Sequence, residues 1–188
     1  MLNIAVVGCG YWGPNLIRNF RSLSECKVRF ICDVDNCNLA HMRTLYPEVE
    51  TISDFGHLVN GAQIDAIVIA TPVLSHFAMA RKSLQAGRHT FIEKPMASSA
   101  VECKKLLELA ENKNLTLMVG HTFVFSQAVR KIKEIIASGE LGEIQYISSR
   151  RLNLGLLQKD INVAWDLAPH DISIILYIME EMPTCDDS

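Results

Sequence analysis

Short apolar runs alternate with amphipathic segments along the first 120 residues. The first run, residues 3–8, is rich in β-branched residues and shows no polar alternation, which is typical of a parallel strand buried on both faces. The predicted strands cover residues 3–8, 27–34, 65–71, 89–93 and 115–120. The predicted helices between them cover residues 15–22, 38–46, 75–86 and 99–112. Strands that alternate with helices predict an α/β fold with a parallel sheet and helices on both of its faces.

The pattern changes after Gly120. The segments that follow are a predicted helix over residues 126–137, a long strand over residues 144–154 and an apolar helix over residues 172–179. We therefore expect one complete domain over residues 1–122. Residues 123–188 are too few for a sheet-based domain of ordinary size, so we expect them to form the first part of an incomplete α+β domain.

The charge balance excludes some classes of protein. Eighteen Lys and Arg residues against 21 Asp and Glu residues give a formal net charge of -3, so the chain lacks the basic field of a nucleic-acid binder. A DNA-binding regulator is therefore disfavoured.

No apolar run approaches the roughly 20 residues that cross a bilayer, and the chain enters its first apolar run without a secretory leader. We expect a cytoplasmic protein without a membrane segment.

The cysteine spacing does not predict a metal site. The six cysteines are Cys9, Cys26, Cys32, Cys37, Cys103 and Cys185. None of them forms a Cys-x-x-Cys pair, and no histidine is spaced to complete a zinc site. We expect small, reduced side chains rather than metal ligands or disulfides.

Three glycines follow the first predicted strand. Gly8, Gly10 and Gly13 have the spacing G-x-G-x-x-G, and Pro14 then occupies a first helical position. The first glycine permits a tight turn, the second lets the backbone approach a pyrophosphate, and the third lets the helix pack closely. The helix N-terminus would then face the phosphates. From these residues alone, glycines that serve only a tight turn remain the alternative.

An acidic residue closes the second predicted strand. Asp33 lies 20 residues after Gly13, where a carboxylate can accept hydrogen bonds from the adenosine ribose and repel the additional phosphate of NADP. This position favours NAD, although Arg43 could alter the preference. Asp33 could instead serve a turn or a helix cap, since Asp35 and Asn36 follow directly.

Two further segments follow predicted strands, at the sheet edge where doubly wound folds bind ligands. Ala70–Pro72 ends the third strand, and Glu93–Pro95 ends the fourth. Lys94 could hold a substrate hydroxyl and stabilise developing alkoxide charge. The alternatives are that Pro72 only terminates a strand and that Lys94 is a solvated surface lysine.

A carboxylate and an imidazole precede the last apolar helix. In a helical turn Asp166 and His170 lie four residues apart on one face, so the carboxylate could orient the imidazole. Alcohol oxidation needs such a base, because the hydroxyl proton must leave as hydride goes to NAD. The alternative is that Asp166 caps the helix and His170 is structural.

Together these segments carry a resemblance. The segments Gly8 to Gly13, Asp33, Ala70–Pro72, Glu93–Pro95, Val119–Phe123 and Asp166 to Asp171, in this order, resemble the glucose-fructose oxidoreductase/inositol dehydrogenase (Gfo/Idh/MocA) family. The resemblance covers nearly the whole chain. It implies an NAD-binding Rossmann domain, followed by a mostly antiparallel α+β domain whose sheet builds dimers or tetramers. Because family members continue well beyond residue 188, we expect this chain to be truncated, with its activity and assembly affected.

The resemblance also implies roles for individual residues. Lys94, His170 and Asp166 would be catalytic, with His170 as the acid/base group. The residues that would contact NAD are Gly8, Gly10, Tyr11, Trp12, Gly13, Asp33, Thr71, Pro72, His76, Glu93 and Lys94.

Three segments narrow the predicted substrate. Tyr11–Leu16, Arg151–Gly155 and Trp165–His170 look most like members that oxidise C3 of a UDP-linked N-acetylglucosamine or its uronate. Arg150 or Arg151 would contact an acidic or phosphorylated substrate, unless both are solvated. We therefore predict an oxidoreductase that transfers hydride between a secondary alcohol of a sugar or nucleotide sugar and NAD. The alternatives are an inositol or free-sugar dehydrogenase and a non-catalytic dinucleotide-binding module.

Overall fold

The computed structural model describes residues 1–61, 63–152 and 162–184. Contacts between Cα atoms divide the chain into two compact units, Met1–Gly120 and His121–Ser188. This division lies close to the predicted domain boundary after residue 122.

The first unit contains one parallel sheet. Its strands are β1 (Leu2–Val7), β2 (Cys26–Cys32), β3 (Glu50–Ile52), β4 (Ala66–Ile69), β5 (His89–Ile92) and β6 (Leu117–Val119). Its helices are α1 (Gly13–Arg21), α2 (Asn36–Leu45), α3 (Phe55–Gly61), α4 (Val73–Gln85) and α5 (Ala100–Asn112). The strand order is β3-β2-β1-β4-β5-β6, and every pair is parallel. The predicted α/β class is confirmed, and the order is that of a doubly wound dinucleotide-binding sheet whose direction of winding reverses between β1 and β4.

Two apolar clusters cover the two faces of this sheet. Ala5 and Val7 of β1 lie in one cluster with residues of α4 and α5. Ile4 and Val6 lie in the other cluster with residues of α1 and α2. Successive side chains of a strand point to opposite faces, so β1 is buried from both sides. This burial explains why residues 4–7 of β1 are continuously apolar rather than alternating.

The sequence pattern did not predict β3 or α3. Strand β3 has three residues, all exposed or half-buried, and it lies at the edge of the sheet, where it pairs with β2 alone. A short edge strand needs little apolar character, because one side of its backbone and much of its surface face solvent. It therefore leaves no hydrophobic signal in the sequence.

All regular secondary structure in the described part of the second unit is helical. It contains a 3-10 helix (Thr122–Phe125), α6 (Gln127–Ala137) and α7 (Val163–Met179). Lys133 joins α6 to α7, because its ammonium pairs with Glu180 and lies 4.3 Å from the centre of the Tyr177 ring.

The predicted strand over residues 144–154 is wrong for residues 144–152, which form no regular secondary structure; residues 153 and 154 lie outside the described residues. A strand needs a partner for its backbone hydrogen bonds. Within residues 121–152 and 162–184 no other segment is a strand that could pair with it. The alternation of apolar and polar residues is therefore not sufficient to form a strand here.

Among residues 1–61, 63–152 and 162–184, no helix is both long enough and apolar enough to span a bilayer. The same part of the chain contains no group of three or more His, Cys, Asp or Glu side chains placed to hold a metal ion. Five of the six cysteines are described, and all five are unpaired thiols, whereas Cys185 lies outside the described residues.

Two buried thiols should be chemically inert in the folded chain. Burial, together with the charge of Asp33, raises the pKa of Cys9 to about 12 and that of Cys32 to about 11. The nucleophile is the thiolate, so neither residue should react at neutral pH, whereas the exposed Cys37 should. Iodoacetamide labelling followed by peptide mass mapping checks this prediction. Labelling of Cys9 in the native chain at the rate of Cys37 contradicts it, and unfolding in guanidinium provides the positive control.

Candidate functional site

The glycine turn begins with a residue that only glycine can occupy. Gly8 follows β1 with φ +93°, in the left-handed region. A Cβ atom there would lie 2.6 Å from the carbonyl oxygen of Ala70, which follows β4. The amide of Gly8 donates to the carbonyl oxygen of Cys32, over 2.8 Å. The turn is therefore packed tightly against the ends of both neighbouring strands.

The other two glycines differ sharply in their surroundings. A Cβ at Gly13 would overlap the carbonyl oxygen of Gly8, so α1 starts in direct contact with the turn. A Cβ at Gly10 would meet no atom within 4 Å. Gly10 thus exposes bare backbone on the open side of the turn, which fits a pyrophosphate that approaches the main chain closely.

The start of α1 also suits an anion. Trp12 precedes the helix and forms no side-chain cap, and the first turn contains no acidic residue. The positive end of the helix dipole is therefore not compensated by a side chain of that turn. Tyr11 and Trp12 are 81% and 46% exposed, with ring centres 5.8 Å apart, so both aromatic rings lie on the surface of the glycine turn.

Asp33 ties the end of β2 to the glycine turn. Its carboxylate accepts hydrogen bonds from the amide of Cys9 (2.6 Å), the amide of Asp35 (2.8 Å) and Nδ2 of Asn38 (3.2 Å). A carboxylate offers about four acceptor positions, so this one retains capacity for a ribose hydroxyl. Asp35, not Asp33, caps α2, by accepting from the amide of Cys37. The predicted turn role of Asp33 is therefore present, and it is compatible with ribose binding.

Sequence reasoning gave no role to Asn38, although its position, five residues after Asp33 at the start of α2, is visible in the sequence. Arg43 is held elsewhere, because its Nε donates to Oγ1 of Thr51 on β3 over 2.6 Å.

The turn after β4 packs against the glycine turn. Cγ2 of Thr71 lies 3.0 Å from the position that a Cβ of Gly8 would take. The hydroxyls of Thr71 and Ser75 share a hydrogen bond of 2.7 Å, and Pro72 directly precedes α4. Pro72 thus ends the strand and starts the helix.

The turn after β5 contains Glu93 and Lys94. Glu93 is buried, and burial raises the pKa of its carboxyl, partly offset by the amide and the charge of Lys94. Its Oε2 accepts a hydrogen bond of 3.2 Å from the amide of Lys94. Lys94 is half-buried, which argues against a purely solvated surface lysine.

His76 joins these two turns rather than facing solvent. The ring is 1% exposed, with Nδ1 2.8 Å from the carbonyl oxygen of Pro95 and Nε2 2.7 Å from that of Thr71. Sequence reasoning placed His76 among the residues that contact NAD. Its buried ring and the two carbonyl oxygens beside its nitrogens show that it supports the turns that carry Thr71 and Lys94, and its contact with NAD stays a prediction.

The second unit contains Asp166 and His170 on α7. Asn162 caps this helix by accepting a hydrogen bond of 2.9 Å from the amide of Trp165, so Asp166 lies in the first turn and is not the cap. The two predicted catalytic residues are therefore four positions apart in one continuous helix, as expected from their spacing. The ring of Phe123 meets the imidazole of His170 edge-on, with centres 4.7 Å apart.

A predicted substrate contact has a different partner. Nε of Arg151 donates to Oδ2 of Asp171 over 2.8 Å, and its guanidinium lies 4.9 Å from the centre of the Phe123 ring. Oγ of Ser149 donates to Oδ1 of Asp171 over 2.8 Å. Burial acts to raise the pKa of Asp171, but these hydrogen bonds and the charges of Arg151 and His170 lower it overall. Arg151 thus pairs with Asp171, the residue that follows His170 in the sequence. The side chain of Arg150 is exposed to solvent.

In the first unit, parallel strands bring the predicted NAD residues to one edge of the sheet. The residues at this carboxyl edge are Gly8, Gly10, Tyr11, Trp12, Gly13, Asp33, Thr71, Pro72, Glu93 and Lys94.

Comparisons with known proteins agree with this fold. An uncharacterized oxidoreductase of Streptococcus pneumoniae is 28% identical over 97% of this chain and 52% of its own length. An inositol 2-dehydrogenase of Salmonella paratyphi B is 26% identical over 96% of this chain and 55% of its own length. The crystal structure of scyllo-inositol dehydrogenase from Lactobacillus casei with bound NAD(H) and scyllo-inositol matches with a TM-score of 0.81 at 21% identity, over 95% of this chain and 56% of that one. The chain spans about half the length of the curated relatives it matches.

A family model for oxidoreductases of the Gfo/Idh/MocA family, described as an NAD-binding Rossmann fold, matches residues 2–121. This match spans more than half of the chain and contains the whole glycine turn, Asp33 and Lys94. The protein therefore belongs to the Gfo/Idh/MocA oxidoreductase family, and residues 2–121 form its NAD-binding Rossmann fold.

Proposed function

We propose that this chain provides the cofactor site and the catalytic residues of an NAD-dependent dehydrogenase that oxidises a secondary alcohol of a sugar or polyol. The observation that supports this function best is the arrangement at the carboxyl edge of the sheet. There the open glycine turn, the Asp33 carboxylate and the Lys94 turn follow strands β1, β2 and β5 of one parallel sheet.

The cofactor preference follows from Asp33. Its carboxylate would accept hydrogen bonds from the adenosine ribose and would repel the 2′-phosphate of NADP. Arg43, the cation that could reverse this preference, is directed to Thr51 instead. Bound at the glycine turn, NAD supplies the hydride acceptor.

The remaining chemistry belongs to side chains of this protein. The Lys94 ammonium would hold the reacting hydroxyl and stabilise negative charge that develops on its oxygen. His170 would accept the hydroxyl proton as the carbon loses hydride. Asp166, one helical turn earlier, would orient the His170 imidazole. The helix α7 supports the last assignment, because it is continuous from Val163 to Met179.

The substrate class within sugars and polyols is a separate proposal. The segments Tyr11–Leu16 and Trp165–His170 favour a nucleotide sugar, with Arg150 as the exposed cation for a phosphate or carboxylate. The similarity to an inositol 2-dehydrogenase favours the alternative, an inositol or free sugar. A non-catalytic dinucleotide-binding module is the other alternative. We further propose that the protein assembles into dimers or tetramers.

Calorimetric titration with NADH and NADPH tests the cofactor site directly. We expect the 188-residue chain to bind NADH at least about tenfold more tightly than NADPH, a difference of about 1.4 kcal/mol. Asp33→Asn should reduce this ratio, because it removes the charge but keeps an oxygen that can accept from Cys9. Asp35→Asn is the matched control: it removes the neighbouring charge, retains a good helix cap and should leave the ratio unchanged. Failure to bind either dinucleotide would overturn the proposal.

A substrate panel then separates the functional alternatives. Reduction of NAD by UDP-N-acetylglucosamine or its uronate, with no response to inositols or free sugars, would support the nucleotide-sugar substrate. The opposite pattern would support the inositol or free-sugar alternative. Tight NADH binding without turnover of any panel member would favour a non-catalytic module.

A further inference from the structure

The imidazole of His76 faces a carbonyl oxygen on each side. Its Nδ1 lies 2.8 Å from the carbonyl oxygen of Pro95, and its Nε2 lies 2.7 Å from that of Thr71. The ring is 1% exposed. Because a carbonyl oxygen can only accept, each of these hydrogen bonds requires a proton on the nitrogen that faces it.

A neutral imidazole has a proton on only one ring nitrogen. The other nitrogen would then direct its lone pair at a carbonyl oxygen less than 3 Å away, and either the buried carbonyl of Pro95 or the part-buried carbonyl of Thr71 would lose the imidazole as its donor. An imidazolium satisfies both carbonyl groups with charge-assisted hydrogen bonds, which offset the loss of hydration on burial. We propose that His76 is a positioning residue that holds the Thr71 and Lys94–Pro95 turns together as an imidazolium, with a proton on each ring nitrogen.

The placement of the two turns gives this bridge a role at the site. Thr71 packs against the glycine turn, and Pro95 directly follows Lys94. One buried ring therefore fixes the turn after β4 relative to the turn after β5. Loss of either hydrogen bond would let the Lys94 turn move with respect to the cofactor turn.

Other ionisable groups surround this part of the fold. Those on α4 and on the elements packed against it are Arg81 and Lys82 of α4, His89 of β5, Glu93 and Lys94 of the following turn, and Glu102, Cys103, Lys104, Lys105, Glu108 and Glu111 of α5. A readout specific to the His76 ring is therefore needed, since a pH profile alone would combine several groups.

Nuclear magnetic resonance of the ¹⁵N-labelled 188-residue chain gives that readout. Long-range ¹H–¹⁵N correlation spectra of the imidazoles distinguish a ring protonated on both nitrogens from either neutral tautomer. From about pH 6 to about pH 8.5, a range that spans the ordinary titration of histidine, we expect His76 to keep the doubly protonated pattern. A neutral pattern for His76 at pH 7 would overturn the proposal.

Assignment uses the variants His76→Gln and His57→Gln. His57 is exposed on α3, so its variant also provides the spectrum of a solvated ring for reference. If His76→Gln does not fold, His76 is identified by elimination after single replacement of the other histidines, which are His41, His57, His89, His121 and His170.

The effect on the site is measured separately and rests on the proposed binding of NAD. Glutamine can supply a donor to one carbonyl group but not to both in opposite directions. His76→Gln should therefore keep the circular dichroism spectrum of the fold and weaken NADH binding about tenfold, whereas His57→Gln should bind like the unchanged chain. Unchanged affinity of a folded His76→Gln variant would overturn the positioning role. Absence of NADH binding by the unchanged chain would overturn the proposed function while the resonance result still decides the protonation of His76.

Discussion

Replacement of Lys94 by methionine is expected to lower kcat about 10²- to 10⁴-fold while NADH binds with unchanged affinity. Methionine keeps much of the apolar stem but removes the ammonium that would hold the substrate hydroxyl and stabilise its developing charge. The experiment compares turnover of the substrate identified in the panel with calorimetric NADH titration. Lys82→Met, at an exposed position of α4, controls for the loss of one positive charge and should leave both quantities unchanged.

His170→Asn separates the two proposed catalytic roles. Without its base, the reaction should depend on hydroxide, so turnover of this variant should rise with pH well above neutrality. Lys94→Met should not recover in this way, because an alkoxide at high pH still lacks its cation. Full activity of either variant would remove that residue from the proposed mechanism.

Two alanine variants of the glycine turn should differ in their effect on stability, although both should weaken NADH binding. Gly13→Ala forces a methyl group into the carbonyl oxygen of Gly8, and a backbone atom cannot rotate away, so we expect destabilisation of about 3 kcal/mol and no measurable NADH binding. Gly10→Ala meets no protein atom within 4 Å and should change the stability by less than about 0.5 kcal/mol. It should nevertheless weaken NADH binding at least about tenfold, because its methyl group occupies the open side of the turn.

Thermal denaturation and NADH titration of both variants check this pair. Each variant serves as the control of the other, since the chemical change is the same and only the surroundings differ. Wild-type NADH affinity in Gly10→Ala would show that the phosphates do not approach the open side of Gly10. A wild-type melting temperature in Gly13→Ala would contradict the close packing of α1 on the turn.

The sheet could be predicted because its central strands are buried on both faces. Strands β1 and β4 carry apolar runs, and the parallel connection of such runs through helices follows general rules of chain topology. The same reasoning missed β3 and predicted a strand over residues 144–152 that does not form there. In both segments the outcome depends on a neighbouring strand, because pairing rather than local sequence decides whether an extended segment becomes part of a sheet.

The positions of the site residues could also be predicted, but their partners could not. Asp33 and Lys94 each follow a parallel strand, so both lie at the carboxyl edge of the sheet. This placement does not depend on the partners of their side chains. The hydrogen bonds of Asp33 to Cys9, and of Arg151 to Asp171, join residues 24 and 20 positions apart. Such pairs depend on side-chain rotamers in the folded chain, which have no periodic signature. The resemblance therefore predicted a set of site residues, and the geometry adds hydrogen-bond partners of His76 and Arg151 that the sequence did not indicate.

The hydrogen bond between Asp33 and the amide of Cys9 limits how the coenzyme preference of this protein can be re-engineered. One carboxylate both faces the ribose position and secures the main chain that would carry the pyrophosphate. A designer who introduces arginine or alanine at position 33 to admit NADP also removes the acceptor for a buried amide, and so loosens the turn for either coenzyme. Successful redesign will therefore retain an oxygen at this position, or supply one from Asn38, before a cation for the phosphate is added.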